Sequence, residues 1–321
     1  MPVAANLTFL GIAKETTPGT AVAATNFLPV VDVKPKINVA YLEDNAMRGA
    51  MAKIFNEIPG VSFCEYEFGG PAFADVIGWA LAGVLGDVAT TGASAPFTHA
   101  VSLLNSGQPK TYTISDYNGF NTRQFAGCKI SEVGLKFAGN GMLEYSAKAT
   151  GRSFATTSKP TPSFSAVTPQ AAWVGVATVA GSASSLITAG DLTIKRSVEP
   201  IHNVDGTQSP YDVFAGGDLT VSGSLTAVYE DDTVYANYLN GTPIVLDLDW
   251  SQGAGAAATQ IKAHMTSAQI TDASISRGSG RYVELDLKFD AIANSTDVGV
   301  SAGYSPIKAT IKNALASGTY V

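Results

Sequence analysis

Residues 127–152, GCKISEVGLKFAGNGMLEYSAKATGR, constrain the fold more than any other stretch. Ile130, Val133, Leu135 and Phe137 supply the apolar side chains of one strand, and residues 138–141, Ala-Gly-Asn-Gly, supply a turn. Leu143, Tyr145, Ala147 and Ala149 then alternate with Glu144, Ser146, Lys148 and Thr150. Strand side chains point to opposite faces in turn, so strict alternation predicts a β-hairpin with one buried and one wet face. Asn-Gly suits the turn because it tolerates the positive φ that tight hairpins require. Residues 269–294, QITDASISRGSGRYVELDLKFDAIAN, have the same plan. Ile270, Ala273 and Ile275 lead into residues 277–280, and Val283, Leu285, Leu287 and Phe289 alternate on the return. Without a gap, Leu143 falls on Val283, Glu144 on Glu284 and Lys148 on Lys288. The match is of pattern rather than letters, and it predicts a duplicated domain.

The order of the remaining elements supports that reading. Ahead of the first hairpin the pattern predicts an N-terminal strand and polar turn within residues 7–31, then a strand at 31–40. A long arm at 41–59, a strand at 61–68, a helix at 71–86 and strands at 97–104 and 110–117 follow. The helix rests on Phe73, Val76, Ile77, Ala80 and Leu81 at three-and-four spacing, with Pro71 in its first turn and Gly83 ending it. Residues 156–169, rich in Pro, Ser and Thr, read as a linker. Short strands at 172–179 and 186–188, a strand at 191–198, an arm at 199–217, a strand at 219–229 and a short helix at 231–241 come next. Strands at 244–250 and 261–265 precede the second hairpin, and residues 304–321 form a last strand and tail. The expected division is a first domain at 1–155, a linker at 156–170 and a second domain at 171–321. Loops longer than about 12–15 residues are usually functional or disordered. In the first arm Met47, Met51, Ile54 and Phe55 favour docking over disorder, and Ile201, Tyr211 and Phe214 are their counterparts in the second.

The 321 residues suit two domains of ordinary size. Charged residues are 15%, low for a soluble domain, while 45% are hydrophobic. That balance fits a plain soluble β protein and equally one whose surface is covered by neighbouring copies. Of the net charge of −7, residues 1–160 contribute nothing, with 12 basic and 12 acidic side chains, and residues 161–321 hold 8 basic against 15 acidic. No basic patch exists to grip phosphates, which excludes a tight nucleic-acid binder. Cys64 and Cys128 are too few for a disulfide scaffold and lack a CxxC partner. The N-terminus lacks the build of a signal peptide. The longest apolar run, 72–85, is short of a membrane span and broken by Gly. These features predict folding in a reducing cytoplasm with both thiols buried, and no membrane partner. The sequons at Asn6, Asn240 and Asn294 are then chance matches.

Catalytic and metal-binding patterns are lacking. His99, His202 and His264 are far apart and without ligand spacing. There is no phosphate-binding loop and no nucleophile elbow. Asp231 and Asp232 read as a helix N-terminus, and Asp247 and Asp249 as the wet face of a strand. No enzyme activity, metal or cofactor is expected.

The opening LGIAKETTPGTAVAATNFLPV resembles the tail tube proteins of tailed bacteriophages, in which a Gly-Ile-x-x-Glu-Thr-x-x-Gly-Thr run precedes a Phe-Leu-Pro-Val segment. The likeness continues through FAGCKISEVGLKF, GNGMLEYSAKATGR, GGDLTVSGSLTAVYEDDTVYANYL and the closing IKATIKNALASGTYV, covering most of the chain. The resemblance implies a mainly β protein with two tandem β-sandwich or partial-barrel tail-tube domains, each with a flanking α-helix and a long inter-strand loop. It implies rings whose sheets join around a lumen and stack into a tube, with the long loops reaching the neighbouring ring. A duplicated chain implies a homotrimeric, pseudo-hexameric ring. The implied function is a virion conduit for double-stranded DNA, assembled in the host cytoplasm, of the siphovirus type. Its partners would be other copies of itself, the tail terminator, tail-tip or baseplate proteins, and a tape measure protein and DNA held without tight binding. A net-negative wall would let DNA slide, and Glu132, Glu144, Asp272, Glu284 and Asp286 are candidates for it, the inward face being left open. The inner tube of a contractile tail or gene-transfer particle fits the same residues. A surface carbohydrate-binding or adhesive β-sandwich is disfavoured by the absent signal peptide and aromatic cluster.

Overall fold

The computed structural model describes residues 3–279 and 281–321, so Gly280 of the expected second turn lies outside the described residues. The chain is 54% strand and 8% helix, so its layers are sheets. The first half contains β1 (Phe9–Lys14), β2 (Asn26–Leu28), β3 (Asp32–Asp44), β4 (Asn56–Pro71), α1 (Ile77–Leu85), β5 (Gly86–Thr91), β6 (Phe97–Leu103), β7 (Tyr112–Tyr117), β8 (Thr122–Ala138), β9 (Glu144–Gly151) and β10 (Phe154–Thr157). The second contains β11 (Gly175–Val179), β12 (Ser182–Ser184), β13 (Ile187–Ile201), β14 (Asp212–Val228), α2 (Thr233–Leu239), β15 (Ile244–Gln252), β16 (Thr259–Ser276), β17 (Glu284–Ala291) and β18 (Lys308–Asn313).

The two hairpins are β8–β9 and β16–β17. In β9 the odd-numbered side chains are buried and the even-numbered ones from Glu144 to Lys148 exposed, as the alternation requires. The long strands β8 and β16 each change partners along their length. Their first halves pair with β7 and β15, and their second halves form the hairpins. The hairpin halves lie in one antiparallel sheet of order β3–β4–β9–β8–β13–β14–β17–β16. Its middle contact joins the two halves of the chain, with Leu192 opposite Leu135 and Ile194 opposite Val133. One buried apolar cluster runs through both halves, from Ile12 and Tyr66 to Leu225 and Phe289. The last strand ties the halves together too, because β18 pairs with β16 on one side and β6 on the other.

The pairing scheme occurs twice in detail. Bulges interrupt β8–β9 between Ile130 and Glu132, and β16–β17 between Ile270 and Asp272. They recur between Tyr112 and Ile114 in β7 and between Ile244 and Leu246 in β15. A third pair lies between Val39 and Tyr41 in β3 and between Arg196 and Val198 in β13. A bulge costs ladder bonds and persists where a strand must bend. Among the described residues the hairpin β5–β6 has no counterpart in the second half, where α2 leads directly to β15.

Several boundaries differ from the sequence expectation. The arm at 41–59 is largely the outer end of a hairpin, since β3 and β4 stay paired out to Asp44 opposite Asn56. Tyr41 and Leu42 are both exposed there. A strand that stands clear of the core has no buried face, so its sequence cannot alternate. In the second arm β13 likewise runs to Ile201, opposite Asp212 of β14. The helix begins six residues later than expected, because Pro71 still pairs with Glu144 as the end of β4. Gly86, with φ 91°, ends it in place of Gly83. Gly83 instead lets the helix approach the sheet, since a Cβ there would lie 2.4 Å from Ile130 Cγ1. The strand expected at 261–265 is continuous with the hairpin in β16.

Candidate assembly surface

One face of the eight-strand sheet packs on the core, and the other is wet and charged. Because paired residues share a face, the registers place side chains in rows. Lys34, Glu67, Lys148, Glu132 and Lys195 form one row across five strands. Glu144, Lys136, Asp191, Ser224, Lys288 and Asp272 form another across six. Opposite charges alternate, so neighbours pair: Lys148 Nζ lies 2.7 Å from Glu132 and Lys288 Nζ 3.1 Å from Asp272. Hydrogen bonding to Glu132 holds the Lys148 ammonium above its ordinary pKa. Exposed pairs of this kind contribute roughly 0–1 kcal/mol each, so they set the character of the face more than its stability.

All five sequence-predicted acids fall on this face. Glu132 and Asp272 occupy equivalent places beside the equivalent bulges, and Glu144 and Glu284 begin β9 and β17. Asp286 accepts a hydrogen bond from Thr226 Oγ1 at 2.8 Å. With Glu65, Glu67, Asp191 and Asp290 added, carboxylates outnumber lysines on the face.

The sheet ends on two open edges. Among the described residues β3 pairs only with β4, and β16 beyond Ala268 pairs only with β17. Open edges with unpaired backbone groups are templates for another chain.

The hairpin tips differ from each other. At the tip formed by 45–55, Met47 and Met51 are fully exposed and Ile54 is partly so. Phe55 is covered by the Arg48 guanidinium, 4.8 Å from its ring centroid, and Arg48 also pairs with Asp44. The tip between β13 and β14 folds back onto the first half. The Gln208 carbonyl accepts from Ser62 N–H at 2.7 Å, and Gln208 Nε2 donates to the Pro59 carbonyl at 3.1 Å. The Arg152 guanidinium donates to the Tyr211 carbonyl. Ile201, Tyr211 and Phe214 keep exposed side chains around this contact. Gln208 carries the docking and was not singled out in the sequence, where a lone Gln in a polar loop gives no signal.

Two features invite a chemical reading. His264 Nδ1 stands 2.5 Å from Asp247 and its Nε2 3.1 Å from Thr266 Oγ1. The Thr266 hydroxyl donates to Asp297 at 2.8 Å, so its proton is engaged by a carboxylate and not by the imidazole. Asp247 also pairs with Lys262 at 3.1 Å. The cluster ties residues 294–297 to β16. Cys64 of β4 and Cys128 of β8 are buried free thiols that meet across Gly151 of the intervening β9, and the neighbouring Cys64 thiol together with burial pushes the Cys128 thiol well up. Among the described residues no group of three or more His, Cys, Asp or Glu is placed to hold a metal ion. Nor, among the described residues, is any helix long and apolar enough to cross a membrane.

A family model described as phage tail tube protein matches residues 5–299. No curated protein matches the chain.

Proposed function

This chain belongs to the phage tail tube protein family, and from that premise we propose that it polymerises as stacked rings around a lumen that conducts double-stranded DNA. Membership makes the chain a structural protein of the virion tail that assembles with its own copies into a tube. The carrying observation is the open sheet with a core on one face, charge on the other and, among the described residues, one open strand edge at each end. Closing such sheets edge to edge removes every edge and encloses the charged face. That face then lines the lumen, with Glu132, Glu144, Asp272, Glu284 and Asp286 among the groups DNA meets. Carboxylates in excess over lysines repel phosphate, and the lysines moderate the field, so DNA slides without sticking.

The recurrence of the pairing scheme in both halves supports two tube units per chain, so three chains make a ring with six. The exposed tip at 45–55, with Met47, Met51, Ile54 and Phe55, supplies contacts to the next ring, together with Ile201, Tyr211 and Phe214. A tail terminator and tail-tip proteins close the ends, and a tape measure protein occupies the lumen before DNA does. Electron microscopy of the purified chain tests the reading. The expected result is a tube of stacked threefold rings roughly 40 Å apart, one sandwich of strands and loops per layer. A chain that stays monomeric at every concentration, or a tube with a strongly basic lumen, overturns it.

A further inference from the structure

We propose that the open edge of β3 pairs antiparallel with the outer half of β16 in a second copy of this chain, in the register that β13 and β8 already use inside the chain. The inference rests on the ring reading above and specifies its seam. It follows from the doubled pairing scheme. The shared bulges align β3 with β13, so that Val33 corresponds to Gly190 and Val39 to Arg196. They align β8 with β16, so that Ile130 corresponds to Ile270 and Leu135 to Ile275. The internal junction sets Leu192 opposite Leu135, Ile194 opposite Val133 and Asp191 opposite Lys136. Carried to the free edges, these pairs become Pro35 with Ile275, Ile37 with Ala273 and Lys34 with Ser276.

Burial separates the paired and unpaired versions of the same positions. Ile194, at the internal junction, is 1% exposed, whereas its counterpart Ile37 is 38% exposed. Leu135 is buried, and its counterpart Ile275 is only partly so. The edges also differ in charge. β3 presents Lys34 and Lys36, while the opposite edge presents Asp272 on β16, with Asp286 and Glu284 of β17 beside Ser274 and Ser276. A second copy therefore meets apolar side chains with apolar ones on the core face, and on the wet face sets lysines against serines that have carboxylates as their next neighbours.

The backbone agrees. Gly139 N–H donates to the Thr188 carbonyl, so in β13 the even-numbered residues bond toward β8. Their counterparts in β3 are Val33, Pro35 and Ile37, whose backbone groups point out of the sheet. Ala72 N–H bonding to the Leu143 carbonyl gives the same result through β4, by turning the odd residues of β4 toward β3. Proline belongs on an edge strand with its missing N–H facing outward, and Pro35 sits so.

Cysteine pairs in the full chain test the register. Lys34→Cys with Ser276→Cys places thiols on a non-hydrogen-bonded pair, where Cβ atoms stand about 4.5–5.5 Å apart. Lys34→Cys with Ser274→Cys is two residues out, a diagonal of roughly 7–8 Å that a disulfide does not span without backbone movement. All three positions are exposed, so folding is retained, and Cys64 and Cys128 stay buried. Asp191→Cys with Lys136→Cys is the internal control, expected to link within one chain. Under mild oxidation the matched pair is expected to give reducible multimers of the chain, and the mismatched pair monomers. If tubes form but the mismatched pair links as well as the matched one, or the matched pair does not link, the register is wrong while the tube reading stands. If the unsubstituted chain forms no rings at all, the tube reading falls and the seam with it.

Discussion

Glu15 explains why the Lys-Glu-Thr-Thr-Pro-Gly turn has the composition it does. Its carboxylate is buried and accepts from Gly19 N–H at 2.7 Å, Thr113 Oγ1 at 2.8 Å and Gly127 N–H at 2.8 Å. One side chain thus joins the N-terminal turn to β7 and to the start of the first hairpin. The motif was legible in the sequence, but its reason was not, because two of the three donors lie about a hundred residues away. Glu15→Ala strands a buried hydroxyl and a buried N–H, each worth about 1–3 kcal/mol. The expected loss of about 2–5 kcal/mol lowers Tm by roughly 5–15 °C, and a Tm unchanged by calorimetry refutes this role. His99 makes a second prediction. It is buried, hydrogen-bonded to Thr90 Oγ1 at 2.9 Å and to Asn313 Oδ1 at 3.2 Å, with the Tyr320 ring packed nearly perpendicular to its own. Burial pushes the imidazole below its ordinary value of 6.5. The unfolded chain therefore binds the proton more readily, so the stability is fully present above about pH 6.5 and is lost as pH falls through the folded value. Denaturation midpoints at pH 7.5 and 5.5 are expected to differ in the parent, and to differ less in His99→Gln.

At the scale of elements, the hairpins were legible because each has one buried face, and Leu143 to Ala149 record it directly. The arms read as loops in the sequence for the converse reason. Tyr41 and Leu42 are strand residues exposed on both faces, and such a strand leaves no period in the sequence. The bulges left no signal either, since a bulge is a property of two strands together. The five acids were placed on one face by alternation alone, whereas the open edges beside them depend on strand order, which no local pattern encodes. The two tips also differ in a way that can be measured. The second is held on β4 and Ser153 by Gln208 and Ser209, while the first projects with Met47 and Met51 fully exposed. Trypsin is therefore expected to cut the unassembled chain first at Arg48 or Lys53. The same bonds become protected once rings stack. Mass spectrometry of the first fragments decides this, and cleavage that proceeds at the same rate in intact tubes refutes the contact assigned to that tip.

For the whole molecule, the two seams of the sheet have unequal strengths, and this sets how a tube comes apart. The internal junction brings Leu192 and Ile194 against Leu135 and Val133 inside a core shared by both halves. The clasp of β18 on β6 adds a second tie between them. A denaturant is therefore expected to separate chains before it unfolds them, and each chain then unfolds in one transition. Pro35 contributes to the difference. Leu192 directs its N–H across the internal junction, and Pro35, at the corresponding place, has none to give. Pro35→Leu restores that donor, worth about 1 kcal/mol at each chain-to-chain seam. The same substitution frees the unfolded chain and costs the isolated subunit up to about 1 kcal/mol. The two effects oppose each other and fall on different transitions. Tube disassembly, followed by light scattering, is expected to shift to higher guanidinium, while subunit unfolding, followed by circular dichroism, shifts slightly lower. A disassembly midpoint that falls with the unfolding midpoint means that Pro35 does not lie at the seam.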